Sequence, residues 1–235
     1  MPVPAPLTAG GVPEALNAIR TTVAATFLRG EGIEIGALHQ PLPLPGGAKA
    51  TYVDRMRVAD LRGHYPELAD LPLIEPDVLD DGETLATFAD ASQDFVVANH
   101  FLEHCQNPIA ALQTLLRVLK PDGVLFLAVP DKRFTFDVDR PATPIEHLIR
   151  DYTDGPEWSR HQHFEEWVRL VNKQPENRVD ANVGYLMSID YSIHFHVWRA
   201  VDLLEFMQTL HRFAAFELEL FRRNGFESLL ILRKS

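Results

Sequence analysis

One cysteine, Cys105, is all that this chain of 235 residues contains. It can form no internal disulfide and no thiolate cage for a metal, so stability must come from a hydrophobic core. Cys105 itself reads as a small buried filler rather than a nucleophile. Basic residues are also scarce: 22 Lys and Arg against 33 Asp and Glu leave a net charge of −11. They form no stripe along the chain, which argues against a nucleic-acid partner. An acidic chain does suit a cationic ligand. No run approaches the ~20 consecutive apolar residues of a membrane span. The opening residues lack the basic start and apolar core of a signal peptide. The expectation is therefore a cytoplasmic protein with no membrane partner.

What is present alternates between helical and strand patterns, with 46 % hydrophobic residues. Residues 1–13, with three early prolines, read as a poorly ordered tail, and 14–235 as one domain. Apolar Leu16, Ile19, Val23 and Phe27 recur at helical spacing. Strands are expected at 33–37, 50–54, near 73–78, 94–99 and 124–129. The unit from Asp94 to Val129 is the best defined. Its apolar strand is followed by Asn107 as a helix cap and Pro108 at the first helical position. Lys120-Pro-Asp-Gly123 then turns into the next strand, which reads as a parallel βαβ crossover. Roughly 131–197 breaks the alternation, with helical patterns at 145–152 and 164–171, and reads as an inserted cap over an acceptor. A helix at 203–210 and closing strands at 216–221 and 228–232 follow. The fold class is α/β: a Rossmann-like, doubly wound, mostly parallel sheet with an antiparallel final strand and a helical insertion after the fifth strand.

Acidic residues fall at the first three strands: Glu34, Asp54 (with Arg55 beside it) and Asp77 (with Val78 after it). In open sheets of this kind ligands bind beyond the carboxyl ends of the strands. A carboxylate ending the second strand suits two ribose hydroxyls. A dinucleotide, however, requires a glycine-rich turn opening a helix that holds its pyrophosphate. Here Gly36 is followed by a proline ladder, His39-Gln-Pro-Leu-Pro-Leu-Pro-Gly-Gly47, which disfavours hydride chemistry.

On Glu34-Ile-Gly36-Ala, Tyr52-Val-Asp54, Asp77-Val78, Asp94-Phe-Val-Val-Ala-Asn99 and Leu116-Arg-Val-Leu-Lys-Pro-Asp-Gly123, the chain resembles the class I S-adenosylmethionine-dependent methyltransferases. The resemblance spans roughly residues 33–130. It departs from the family at the first motif, which keeps Gly36 but lacks further glycines. It implies that Asp54 holds the ribose, Asp77 and Val78 the adenine, and Glu34, Gly36, Arg55 and Asn99 the rest of the cofactor. The implied activity is methyl transfer to a small-molecule or glycan acceptor, at a hydroxyl oxygen. N- or C-methylation and a catalytically silent binding subunit are the alternatives.

Methyl transfer to a hydroxyl needs alignment and a base, a role suited to histidine. His104, past the fourth strand, is the expected base, with His100 beside it. His100, Glu103 and His104 fall at i, i+3 and i+4, a spacing that could hold a divalent metal, although none is expected. Residues 189–197 alternate strictly, which predicts a strand with His194 and His196 on one face as an acceptor-binding wall. Asp131, Lys132, Arg133, Arg140, Trp158, Arg160 and Trp167 suit a sugar or an acidic molecule, and suit ordinary packing better.

Overall fold

The computed structural model describes residues 13–235, so all of the tail but Pro13 lies outside the described residues. In chain order the elements are α1 (Glu14–Phe27), β1 (Glu31–Ile35), β2 (Lys49–Asp54), α2 (Val58–His64), β3 (Val78–Leu79), β4 (Gln93–Asn99) and α3 (Pro108–Val118). There follow β5 (Leu119–Pro130), α4 (Ile145–Asp154), α5 (Glu157–Glu166), α6 (Val179–Ser188), α7 (Ala200–Leu210), β6 (Phe216–Asn224) and β7 (Glu227–Lys234). The strands form one sheet in the order β3-β2-β1-β4-β5-β7-β6, parallel except where β7 pairs with β5 and β6. This is a Rossmann-like sheet closed by the β6–β7 hairpin, in which β7 alone runs against the other strands. Strands β2 and β3 lie on one side of β1 while β4 lies on the other, so the chain reverses direction across the sheet between β3 and β4. A crevice forms at such a point.

Both sheet faces are covered, which explains the continuous apolar strands. Ile33, Val96, Leu125, Leu127 and Leu230 pack under α3 and α7. Phe95, Val97, Phe126 and Ile231 point the other way, against Val23 and Ala24 of α1. Asn107 caps α3 by accepting from the Ala110 N–H at 3.1 Å. Several expected boundaries move, the first strand from 33–37 to Glu31–Ile35 among them. β5 starts at Leu119 because that residue already pairs with Gln93; the Lys120–Gly123 turn is a bulge within the strand, with Asp122 at φ +63°. The third strand is only Val78–Leu79, so 73–77 is not a strand.

Between β5 and α7, α4 packs Leu148 on the main core, while α5, α6 and the stretch after it build a core of their own from Phe164, Trp167, Val168, Val183, Tyr191 and Phe195. The helical pattern expected at 164–171 is the end of α5 and a π-turn over Trp167–Val171. The strand expected at 189–197 does not form. Residues 189 and 190 form a turn, with Asp190 at φ +49°, and 191–197 join no ladder; only Trp198 makes a single bridge to Asp131. The alternation is real but both faces are covered: Ile193 is 0 % exposed, His194 5 % and His196 0 %. Among the described residues no helix is long and apolar enough to cross a membrane.

Candidate active site

A cavity of about 520 Å³ opens at the carboxyl ends of the central strands and runs under the helices that follow β5. Its floor comes from β1 and the loop after it. Gly36 has φ +62°, and a Cβ there would project into open space within the cavity. A larger residue would be strained and would occupy ligand volume. The segment between β1 and β2 contains no helix, so no row of N-terminal N–H groups awaits a pyrophosphate.

Glu34 alternates onto the α1 face of the sheet, where it is 1 % exposed and accepts from the Leu42 N–H at 2.9 Å. It shapes the proline loop over the cavity. Burial pushes its carboxyl up to about 7, against the hydrogen bond from Leu42 and the charge of Arg20. Since the folded value lies above the ordinary 4.5, proton binding favours the fold below pH 4.5, and this contribution disappears as pH rises through 7. Glu34→Gln should therefore gain on the order of 1–3 kcal/mol relative to the native chain at pH 8 and almost nothing at pH 4. Urea unfolding at the two pH values checks this; equal stability at pH 8 would show that the ionised carboxylate is well solvated.

Asp54, ending β2, lines the cavity and uses one carboxylate oxygen to accept from the Met56 N–H at 3.1 Å. Burial raises its carboxyl above the usual range. Arg55 also lines the cavity, but its guanidinium is taken: it donates to the Tyr65 hydroxyl at 2.5 Å and to Asp190 at 3.3 Å. That bridge ties the end of β2 to the segment after α6. Asp77 and Val78 are a correction. Neither lines the cavity, and Asp77 is exposed, its carboxylate accepting from the Tyr52 N–H at 2.8 Å on the outer edge of β2. Because β3 begins at Val78, the acidic residues beyond its end are Asp80 and Asp81, and these line the cavity. Asp80 is engaged by the Thr87 N–H and hydroxyl, whereas Asp81 uses only Oδ1, for the Glu83 N–H. The apolar pair Val78-Leu79 before Asp80-Asp81-Gly82 was the signal in the sequence.

At the end of β4, Asn99 carries a buried side-chain amide whose oxygen and nitrogen have no partner in the protein. His100 is held at φ +51° and donates from Nε2 to Glu227 at 2.8 Å. That nitrogen is committed, which tethers the ring to β7; His100 also lines the cavity, with Nδ1 3.9 Å from a Glu103 carboxylate oxygen. His104 does face the cavity. Its Nδ1–H donates to the Ile193 carbonyl at 3.0 Å, which leaves Nε2 as a lone pair. Burial, reinforced by the neighbouring His194, pushes its ring down to about 3. A ring so unwilling to hold a proton is a weak general base.

His194 also faces the cavity, 4.7 Å from the His104 ring. Its Nδ1–H donates to Asp137 at 2.7 Å, and its Nε2 lies 4.0 Å from a carboxylate oxygen of the buried Glu103. Asp137 is 1 % exposed. Burial alone would raise its carboxyl, but His194 and Arg140 hold it at about 2. Asp137 was not singled out in the sequence, since a lone aspartate in Thr135-Phe-Asp-Val-Asp139 carries no pattern. His196 is a second correction: it does not line the cavity and is sealed among His147, Asp151 and His163. Of the aromatic and charged residues after β5, Trp167 reaches the cavity. Arg140 is buried against Asp137 and Glu166, Arg133 pairs with Asp131, and Arg160 pairs with Asp190.

A family model described as a methyltransferase domain matches residues 30–227. The chain belongs to the class I S-adenosylmethionine-dependent methyltransferase family. Among solved structures, a Rhodobacter sphaeroides protein described as a putative zinc-dependent alcohol dehydrogenase superposes on this methyltransferase with TM-score 0.59. The two share 15 % identity over 97 % of this chain and 93 % of that one. A Pyrococcus horikoshii protein gives 0.52 at 14 % identity, over 94 % and 89 %. A Thermotoga maritima S-adenosylmethionine-dependent methyltransferase, described as a possible histamine N-methyltransferase, gives 0.49 at 15 %, over 94 % and 92 %. At such identities the likeness is one of fold. A search of the curated proteins found no match.

The cofactor of this methyltransferase is S-adenosylmethionine, and the cavity fits it in three respects. The open cradle at Gly36 admits a chain close to the backbone. The unpartnered Asn99 amide awaits polar groups. Asp54, Asp80, Asp81 and Glu83 line the cavity with acidic groups that favour a sulfonium.

Proposed function

We propose that this methyltransferase acts on a hydroxyl oxygen of a small-molecule or glycan acceptor, bound beneath a cap formed by about residues 131–197. The observation that carries this reading is the Asp137–His194 pair, 2.7 Å apart, with His194 on the cavity wall beside His104. A hydroxyl must lose its proton as its oxygen attacks carbon, and an imidazole oriented by a carboxylate is suited to take it. When bound, S-adenosylmethionine supplies an electrophilic methyl group on a positively charged sulfur.

The remaining work falls to the protein. Asp54 accepts hydrogen bonds from the ribose hydroxyls, and Asp81 uses Oδ2 to accept from the adenine amino group. Asn99 and the backbone at Gly36 bind the methionine portion. Glu34 holds the loop that closes over it. His194 Nε2 takes the acceptor proton while Asp137 stabilises the resulting imidazolium. His104 stays neutral and presents Nε2 as an acceptor that orients the substrate hydroxyl. Phe136, Trp167 and Tyr191, all on the cavity wall, suit the apolar face of a sugar or a planar ring.

The assignment is tested at the cofactor end by calorimetry. Asp54→Ala should weaken S-adenosylmethionine binding by ~1.5–3 kcal/mol, the worth of a charged hydrogen-bond acceptor. Asp81→Asn should weaken it as well, and Asp77→Asn should leave it unchanged. A folded Asp54→Ala protein with native affinity overturns the ribose role; loss in Asp77→Asn alone returns the adenine role to Asp77. At the acceptor end, a screen of sugars, glycan precursors and phenols with radiolabelled cofactor identifies the substrate. Transfer to amines or carbon nucleophiles alone overturns the hydroxyl reading, and cofactor binding without any transfer points to a silent subunit.

A further inference from the structure

Away from the cavity, four side chains of metal-binding type converge inside the segment between β5 and α7. His147 and Asp151 lie one turn apart on α4, His163 lies on α5, and His196 lies on the extended stretch before α7. Asp151 and His196 are fully buried, and one nitrogen or oxygen from each residue lies within 4.8 Å of all the others. Asp151 Oδ2 is 3.3 Å from His147 Nε2 and 3.5 Å from His196 Nε2, and His147 Nε2 is 3.0 Å from His163 Nε2. A tetrahedral zinc centre with bonds of ~2.0–2.1 Å has ligand–ligand edges of about 3.3 Å. The three distances scatter around that edge.

Hydrogen bonding alone leaves this group unsatisfied. The Ser159 hydroxyl donates to Asp151 Oδ1 at 3.0 Å and so fixes the carboxylate. Oδ2 is buried with no hydrogen-bond partner. Among the described residues no Lys or Arg pairs with Asp151; its ionic neighbours are His147 and His196. A buried carboxylate with an unmet oxygen is costly unless a cation sits beside it. Three imidazoles and one carboxylate are a reasonable donor set for a first-row divalent ion, and four protein donors leave no open position for chemistry.

We propose that His147, Asp151, His163 and His196 hold a structural zinc ion that fastens α4 and α5 to the segment carrying the active-site wall. His194 lies two residues before His196, so the ion fixes the backbone from which the proposed base projects. The site is separate from the Glu103, His104 and His194 group at the cavity.

The test uses the full-length chain without a histidine tag, exposed to excess zinc, desalted and analysed for metal. The expected result is about one zinc per chain, falling below about 0.2 in Asp151→Asn and His163→Ala. Cobalt(II) in place of zinc should give the visible absorption of a tetrahedral centre. His104→Ala, which alters only the cavity group, should keep both the metal and the spectrum. A native chain that retains neither zinc nor cobalt overturns the proposal, and this measurement requires no variant to fold. Loss of metal in His104→Ala with retention in a folded His163→Ala also overturns it, by moving the ion to the cavity.

Discussion

His194→Ala is expected to lower kcat by ~10²–10⁴-fold, the usual consequence of removing a general base, with little change in affinity for S-adenosylmethionine. His194 sits at the cavity wall with Nδ1 committed to Asp137, which leaves Nε2 as the nitrogen able to take a proton. Asp137→Asn should produce much of the same loss, because an amide no longer selects the productive tautomer or stabilises the imidazolium. His104→Ala should act mainly on the acceptor KM, since that ring is held near 3 by burial and is a poor proton acceptor. Steady-state kinetics of the three variants with an identified acceptor is the measurement. A collapse of kcat in His104→Ala beside near-native His194→Ala would reverse the two roles. Native kcat in all three would mean that alignment alone carries the reaction.

Glu227→Gln is expected to cost about 3–5 kcal/mol of stability at pH 7, the scale of breaking one partner out of a buried ion pair. Glu227 is fully buried. It accepts from Arg20 at 2.9 and 2.5 Å, from His100 at 2.8 Å and from Asn224 at 2.7 Å. The substitution leaves Arg20, itself 4 % exposed, without its counter-charge. Burial alone would raise the Glu227 carboxyl, but hydrogen bonds from His100 and Arg20 hold it at about 2 instead of 4.5. A depressed carboxylate stabilises the fold fully above pH 4.5 and loses that contribution as pH falls toward 2. The gap between native and variant should thus narrow at pH 3. Chemical denaturation at pH 7 and pH 3 checks both statements, and equal stability at pH 7 would refute the first. His100 should also be released, which makes altered cofactor binding in this variant an indirect effect.

The order of elements was legible because each carries a local pattern. The α1 stripe, the apolar β4 and β5 runs and the Asn107-Pro108 cap report their conformation through neighbours three or four residues away. The proline ladder after Gly36 was enough to argue that no helix opens there, and none does. Local patterns failed where a third element decided the outcome. The alternation of residues 189–197 has the period of a strand, yet the segment has no strand beside it and is buried on both sides by α5, α6 and the cavity wall. The two-residue β3 was misplaced because only its pairing with Val53 and Asp54 defines it.

What the sequence determined by itself was the fold class and the family, since both rest on motifs read in order along the chain. It also pointed to Gly36, Asp54 and Asn99, which line the cavity because β1, β2 and β4 end there: Asp54 and Asn99 are the last residues of their strands and Gly36 follows its own. Tertiary structure alone decided how the polar residues are shared out. Asp137 and His194 are 57 positions apart and meet only because Arg140 and the Phe195 backbone bring their segments together. Glu227 reaches Arg20 across 207 positions, so no local signal could mark either as an ion-pair partner. Histidines that look equivalent in the sequence were separated in the same way: His100, His104 and His194 to the cavity, the first of them also held by Glu227, and His196 to a sealed cluster. Which donor a buried imidazole faces depends on packing between distant segments, and the one-dimensional pattern contains no term for it.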